Sequence, residues 1–206
     1  MISQFFKTFF IMLGCLIVSC SGNDLEEINP EAMEYNNQAM EIFFDAQFID
    51  RSIASKSFNE SLVLINMAID LDGDYVLAYI NKANVLSKLD QYEEAIEVLE
   101  IAESISSENI EVITLQGFLY EKSGNKSKAN EKYKEVVVAY DKIIEKNQDN
   151  LKYKIDRIFM LAFIEGKDKA YEEIMALKKI HPDSPMITAM VDQIWHFQRE
   201  VFIRDM

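Results

Sequence analysis

The sequence predicts an all-α fold, an α–α superhelix of about four stacked helix pairs closed by a C-terminal helix. Three observations lead there. First, the chain resembles itself at a shift of 34 residues: Ile65, Leu99 and Tyr133 align, as do Ala68, Ala102 and Val136, Ala83 and Gly117, Leu86 and Tyr120, and Ala95 and Ala129. Large apolar positions stay large and small ones stay small, at the period of a helix–turn–helix array. Second, apolar residues recur three and four apart, as in Tyr92, Ala95, Ile96, Leu99, Ala102 and Ile105. Glu93, Glu94, Glu97, Glu100 and Glu103 fall between them. That pattern makes one buried stripe and one solvated face on a helix. Third, 6 Gly and 3 Pro in 206 residues are too few for a turn-rich β-sandwich.

Residues 1–19 read as a leader. Lys7 is the only charge before an apolar run from Phe9 to Val18, too short to span a bilayer comfortably and placed as in a signal peptide. The run ends in Ile17-Val18-Ser19-Cys20, which resembles the bacterial lipobox. The resemblance implies cleavage before Cys20, a diacylglycerol on its sulfur and an acyl chain on its new amine. More than one acyl chain holds a protein on a membrane stably, whereas one is marginal. An ordinary signal peptide or an uncleaved anchor is the plainer alternative. Cys15 would leave with the leader, so no disulfide is expected. Residues 20–29 form an acidic tether. Ser21 after the lipidated Cys resembles an outer-membrane sorting pattern. The acidic tether weakly resembles a surface-export signal and equally suits a plain spacer.

Helices are expected near 30–47, 58–71, 75–88, 92–105, 109–122, 126–146, 150–165 and 167–180, within an array spanning 30–182. A capping helix near 184–204 would occupy the final segment, 183–206. Asn29-Pro30 and Ser184-Pro185 pair an N-cap with Pro at the first helical position. Gly124 and Gly166 suit helix ends. Two departures from the period are visible. The first pair is separated by extra residues from Gln47 to Lys56. Ala129 and Ala170 lie 41 residues apart, which adds about two turns to the helix between them.

The segment Tyr79-Ile80-Asn81-Lys82-Ala83-Asn84-Val85-Leu86, then Leu89-Asp90-Gln91-Tyr92-Glu93-Glu94-Ala95-Ile96, then Leu99 and Ala102, resembles the tetratricopeptide repeat. The resemblance implies a right-handed solenoid whose first helices line a concave, peptide-binding groove. Carried over position by position, it gives Leu77, Ile80, Asn84, Ser87 and Lys88 in the second repeat. In the third it gives Glu111, Thr114, Phe118, Glu121 and Lys122, and in the fourth Tyr153, Asp156, Met160 and Phe163. Met40, Phe43 and Phe44 offer an apolar end in the first. Phe44, Phe118 and Phe163 read equally well as core between repeats.

Chemistry beyond binding is sparse. Asp70-Leu71-Asp72-Gly73-Asp74 suggests a calcium loop, but the EF-hand positions for Gly and Glu hold Tyr75 and Asn81. His181 and His196 have no neighbouring ligand at zinc spacing, so no metal and no cofactor are expected. No nucleotide-binding or nucleophile motif occurs, and the chain is not expected to be an enzyme. A net charge of -14, from 21 basic and 35 acidic side chains, argues against nucleic acid. It also disfavours an acidic peptide, leaving a basic or apolar protein segment as the expected partner. A lipid-anchored glycan-binding or enzymatic accessory protein is the alternative. On the last helix Ile187, Met190, Val191, Ile194, Phe197 and Val201 form one stripe. Trp195 and Phe202 lie on a neighbouring line. They pack back on the array, against residues such as Phe163 or Ile174, or contact a partner.

Overall fold

A computed structural model of the chain describes residues 28–206. The leader, the lipobox and most of the tether, Cys20 among them, lie outside the described residues. Ten helices follow: α1 (Pro30–Ala46), α2 (Arg51–Leu71), α3 (Val76–Lys88), α4 (Tyr92–Ile105), α5 (Ile110–Lys122), α6 (Lys126–Lys146), α7 (Leu151–Ile164), α8 (Lys167–Ile180), α9 (Pro185–Trp195) and α10 (Arg199–Asp205). No strand occurs among the described residues. From α1 to α9 each helix packs on its neighbours in sequence. Beyond that order, α1 touches α3, α9 touches α7, and α10 touches α5. The fold is therefore all-α, with paired helices stacked one after another.

Polar side chains cap the starts of five of these helices. Asn29, Asn109, Asn125 and Asn150 and the hydroxyl of Ser184 accept N–H groups of the first turns, satisfying donors that a helix leaves unpaired. The small positions of the 34-residue register sit where helices cross. Ala83, Ala95, Ala102 and Ala129 are fully buried. Gly117 leaves room for the Tyr133 ring, which a Cβ there would meet at 2.6 Å. The aligned large positions Ile65, Leu99 and Tyr133 are also fully buried.

Two segments differ from the sequence expectation. The stretch read as a long connection in the first pair is mostly helix. The link is only 47–50, and α2 starts at Arg51. Asp50 O accepts from Ile53 and Ala54 N–H. Ala54 and Phe58 are buried, Phe58 at 5.6 Å from the Phe43 ring. Burial of these two side chains carries the helix through a run of serines that sequence alone reads as a linker. The long α6 does form, with 21 residues. Its last turns carry Tyr140, 6.4 Å from Tyr153, and Asp141, which accepts from Arg157.

The single capping helix expected near 184–204 is two helices. The α9 helix stops at Trp195, and after His196-Phe197-Gln198 the chain resumes as α10. No Gly or Pro marks this break. Continuing the helix would hold Phe202 on the line of Trp195, which is exposed. Turning buries Phe197, Phe202, Ile203 and Met206, and the apolar area removed from water outweighs the few helical hydrogen bonds lost.

Candidate functional site

The first helices of the second, third and fourth pairs are α3, α5 and α7. The α10 helix packs on α5 and α7, and Met206 just after it reaches Lys88 of α3. At its start, Arg199 reaches the C-terminal ends of α5 and α7. Its Nε donates to Glu121 Oε1 at 2.6 Å, and a terminal nitrogen donates to Glu121 Oε2 at 3.1 Å. The same side chain donates to Asn130 Oδ1 at 3.1 Å and to the Phe163 carbonyl at 2.5 Å. Its guanidinium lies over the Tyr133 and Phe163 rings. Five N–H donors in a planar fork suit this arrangement, whereas a lysine would satisfy only part of it.

Glu121 is prepared for a cation. Its side chain is only 7% exposed, and it also accepts from Tyr133 Oη at 2.6 Å. Burial and then the bond to Glu121 push the Tyr133 phenol far above its usual range, and Arg199 opposes them. A buried carboxylate is costly unless paired, and Arg199, seated over it, supplies the pair.

In the middle of α10, Phe202 enters an aromatic cage. Its ring centroid lies 5.4 Å from Phe118, 5.4 Å from Phe163, 5.7 Å from Phe159 and 5.9 Å from Phe197. These tilted and edge-on contacts favour aromatic pairs over stacked sandwiches. At the far end, the main-chain oxygen of Met206 accepts from Lys88 Nζ on α3. Burial, and then the Lys122 charge, lowers the Lys88 ammonium to about 8, against the pull of Asp205.

Beyond α10 the same surface turns acidic. Burial raises the Glu111 carboxyl. Burial also raises Asp156, although Lys152 at 2.6 Å opposes it. Tyr140 is pushed up by its burial and then by Asp156, Glu111 and Tyr153. These four residues therefore sit within electrostatic reach of one another, on α5, α6 and α7.

The groove residues named from sequence divide into two sets. Leu77 is exposed, and Asn84, Lys88, Thr114, Lys122 and Tyr153 are half-buried. Thr114 turns its hydroxyl to the Ile110 carbonyl of its own helix. Ile80, Phe118 and Met160 are buried, as are Ser87, Phe43 and Phe163. Phe118 and Phe163 are both core and the floor on which α10 lies. The pair Trp195 and Phe202 separates. Trp195 is 60% exposed with its ring 5.3 Å from Tyr171. Phe202 packs inward and presents nothing to a partner. Arg199 was missed from sequence. Its partner Glu121 lies 78 residues away, beyond any local pattern. The available signal was the second apolar line of Phe202, which a single helix would have left outside.

Among the described residues no group of three or more His, Cys, Asp or Glu is placed to hold a metal ion. The acidic turn at Asp72 is internally satisfied: its carboxylate accepts from the main-chain N–H of Asn29 at 2.9 Å and of Asp74 at 3.3 Å. No helix among the described residues is long and apolar enough to cross a membrane.

Residues 64–97 match a family model described as tetratricopeptide repeat. The match runs from the end of α2 through α3 into α4. Among solved structures, a tetratricopeptide repeat protein from Parabacteroides merdae is similar at 14% identity and a TM-score of 0.47, covering 86% of this chain and 75% of that one. The TPR domain of Arabidopsis OM64 is similar at 19% identity and 0.42, covering 63% and 96%. YrrB, a TPR protein with an unusual peptide-binding site, is similar at 17% identity and a TM-score of 0.37, covering 76% and 90%. Comparison with curated proteins yields no match.

Proposed function

We propose that this tetratricopeptide-repeat protein is a scaffold of the bacterial cell envelope, anchored through acyl chains on Cys20, whose groove takes a peptide segment or helix of a partner protein. The observation that supports the groove is its content. Helices α5 and α7 supply an aromatic floor, a helix lies on it, and the residue after that helix reaches Lys88 of α3. Such helix-in-groove contacts are made by apolar anchors, with polar bonds fixing direction. The anchor rests on Ile17-Val18-Ser19-Cys20. The function is binding rather than catalysis. The partner is a protein segment of basic or apolar character, and the location is the membrane surface, with the outer membrane favoured by Ser21.

Site-specific photo-crosslinkers at Leu77, Thr114 and Tyr153, compared with Glu97 on the glutamate-rich face of α4, test the groove in intact envelopes. One protein partner captured from the first three sites and not from Glu97 is the expected result. Equal capture from both faces removes the groove reading. For the anchor, Cys20→Ala should abolish incorporation of labelled palmitate and release the protein from membranes. Retained label would end the lipidation reading.

A further inference from the structure

We propose that α10 is a built-in stand-in for the partner, and that the partner is a helix with Arg followed three and four residues later by an aromatic and an aliphatic side chain, as in Arg199-Glu200-Val201-Phe202-Ile203. This rests on the groove reading above and gives it a ligand chemistry and a competitor. The helix has seven residues, well short of the roughly 12–15 that an isolated helix needs in water. It persists because the groove holds it. The three residues 196–198 tie it to α9 without belonging to either helix. Its docking is therefore an intramolecular binding equilibrium, and short tethers give effective concentrations on the order of mM.

The receiving sites belong to the array. Glu121, Tyr133 and Asn130 surround the guanidinium from α5 and α6. Phe118, Phe159 and Phe163 make the cage from α5 and α7. A buried carboxylate beside an aromatic cage discriminates sharply: a segment lacking either the cation or the ring leaves one of them unpaired or wet. The requirement for the cation comes from Glu121 itself and not from net charge, because Arg199 and Arg204 in this segment are balanced by Glu200 and Asp205. A partner of this chemistry must displace α10. Its apparent affinity is reduced by the fraction of molecules in which α10 is docked.

The probe is a fluorescent peptide of the α10 segment, residues 198–206, added to the full mature chain and to the full-length double variant Arg199→Glu with Phe202→Ser. The expected result is that the peptide binds the double variant at least about tenfold more tightly than the unaltered chain, because the competing docked state is gone. Adding Glu121→Gln to the double variant should abolish that gain, and a peptide carrying the same two changes should not bind. Equal binding to both chains, or none to a double variant that keeps its helical signal and cooperative melting, overturns the proposal. Hydrogen exchange on the unaltered chain guards against a variant that fails to fold. Amides of α10 should exchange far faster than those of α5, through a local opening. Protection equal to α5 means that α10 leaves only on global unfolding, which overturns the proposal too. A concentration-dependent dimer that the peptide dissolves would make the occupant a second copy and overturn the partner assignment. Crosslinks from Leu77, Thr114 and Tyr153 report separately on the groove: partner capture without peptide binding refutes the stand-in alone.

Discussion

At the N-terminal end, α1 and α2 meet the rest of the array through alanines and a few polar bonds, whereas the C-terminal end is covered by α9 and sealed by α10. Ala32, Ala39, Ala46, Ala54 and Ala68 are all buried between α1, α2 and α3, with Phe43, Phe58 and Ile65 as the large side chains among them. The join to the second pair includes a buried polar chain: Asn81 Nδ2 donates to Asn36 Oδ1 at 2.9 Å, and Asn36 Nδ2 donates to Tyr75 Oη at 3.4 Å. Outside, Phe48 is 71% exposed and Ile53 is 61% exposed. At the other end, Phe118, Phe159, Phe163, Phe197 and Phe202 form one continuous ring cluster. In a stacked array each pair contacts only its neighbours, so each end must be finished on its own terms. Both ends leave large apolar side chains in water, Phe48 and Ile53 at one and Ile180 and Trp195 at the other, but only the C-terminal end folds its last residues into the groove.

Truncating the ring cluster should have the largest effect. Phe163 is fully buried and touches Phe118, Tyr133, Phe159, Phe197 and Phe202. Phe163→Ala should cost about 4 kcal/mol, in the middle of the range for buried Phe. Phe43→Ala, in the smaller cluster with ring neighbours Phe44 and Phe58, should cost about 3 kcal/mol. Urea unfolding of the two variants makes the comparison. If Phe43→Ala is the more damaging, the C-terminal end is not the better packed one.

Next in size is the helix crossing between the two ends. Gly117→Ala would improve helix propensity by about 1 kcal/mol at an exposed site. Here its Cβ would lie 2.6 Å from Tyr133 Cε1. The tyrosine ring is held by Glu121, Phe118 and Phe163 and has nowhere to swing. A net loss of about 1–3 kcal/mol is expected, or a fall of several degrees in melting temperature for a chain this size. A gain in melting temperature would mean that the crossing is looser than its geometry.

The regular middle of this molecule could be read from sequence because its pattern is local. Ala83, Ala95, Leu99, Gly117 and Tyr133 repeat at a fixed spacing, and each performs the same packing task in successive pairs. The ends escaped because their determinants are distant in sequence. The serines before Phe58 are helical only because Ala54 and Phe58 find α1. The break after Trp195 exists only because Phe163 and Glu121 wait in the groove. The groove residues named from sequence lie on α3, α5 and α7, but which of them remain exposed depends on α10, and nothing local announces it.

A smaller, pH-dependent difference follows from Lys88 and the buried tyrosines. The Lys88 ammonium is lowered to about 8 by burial, below the roughly 10.4 of an unfolded lysine. The unfolded chain binds the extra proton between these values, so Lys88 makes stability rise as pH increases from about 8 to about 10. Tyr133 and Tyr140 are raised by burial. Their contribution is complete below the unfolded tyrosine value of about 10 and is lost as pH climbs above it. Urea midpoints from neutral to strongly alkaline pH should therefore rise slightly and then fall. Lys88→Met should remove the rise and leave the fall. An unchanged rise would mean that Lys88 at the foot of α10 is as well solvated as a surface lysine.

The least change is expected at the open end. Ile53 on the first turn of α2 is mostly in water, so Ile53→Ser gives up little burial and should alter stability by less than about 0.5 kcal/mol. The same replacement at Phe202, which lies inside the ring cage, should release α10 and raise its hydrogen exchange. The two substitutions each remove one large apolar side chain near an end of the same array, so the contrast isolates burial from composition. If Ile53→Ser lowers the melting temperature as much as Phe202→Ser, the N-terminal pair is closed by contacts equal to those of α10, and the two ends are finished alike.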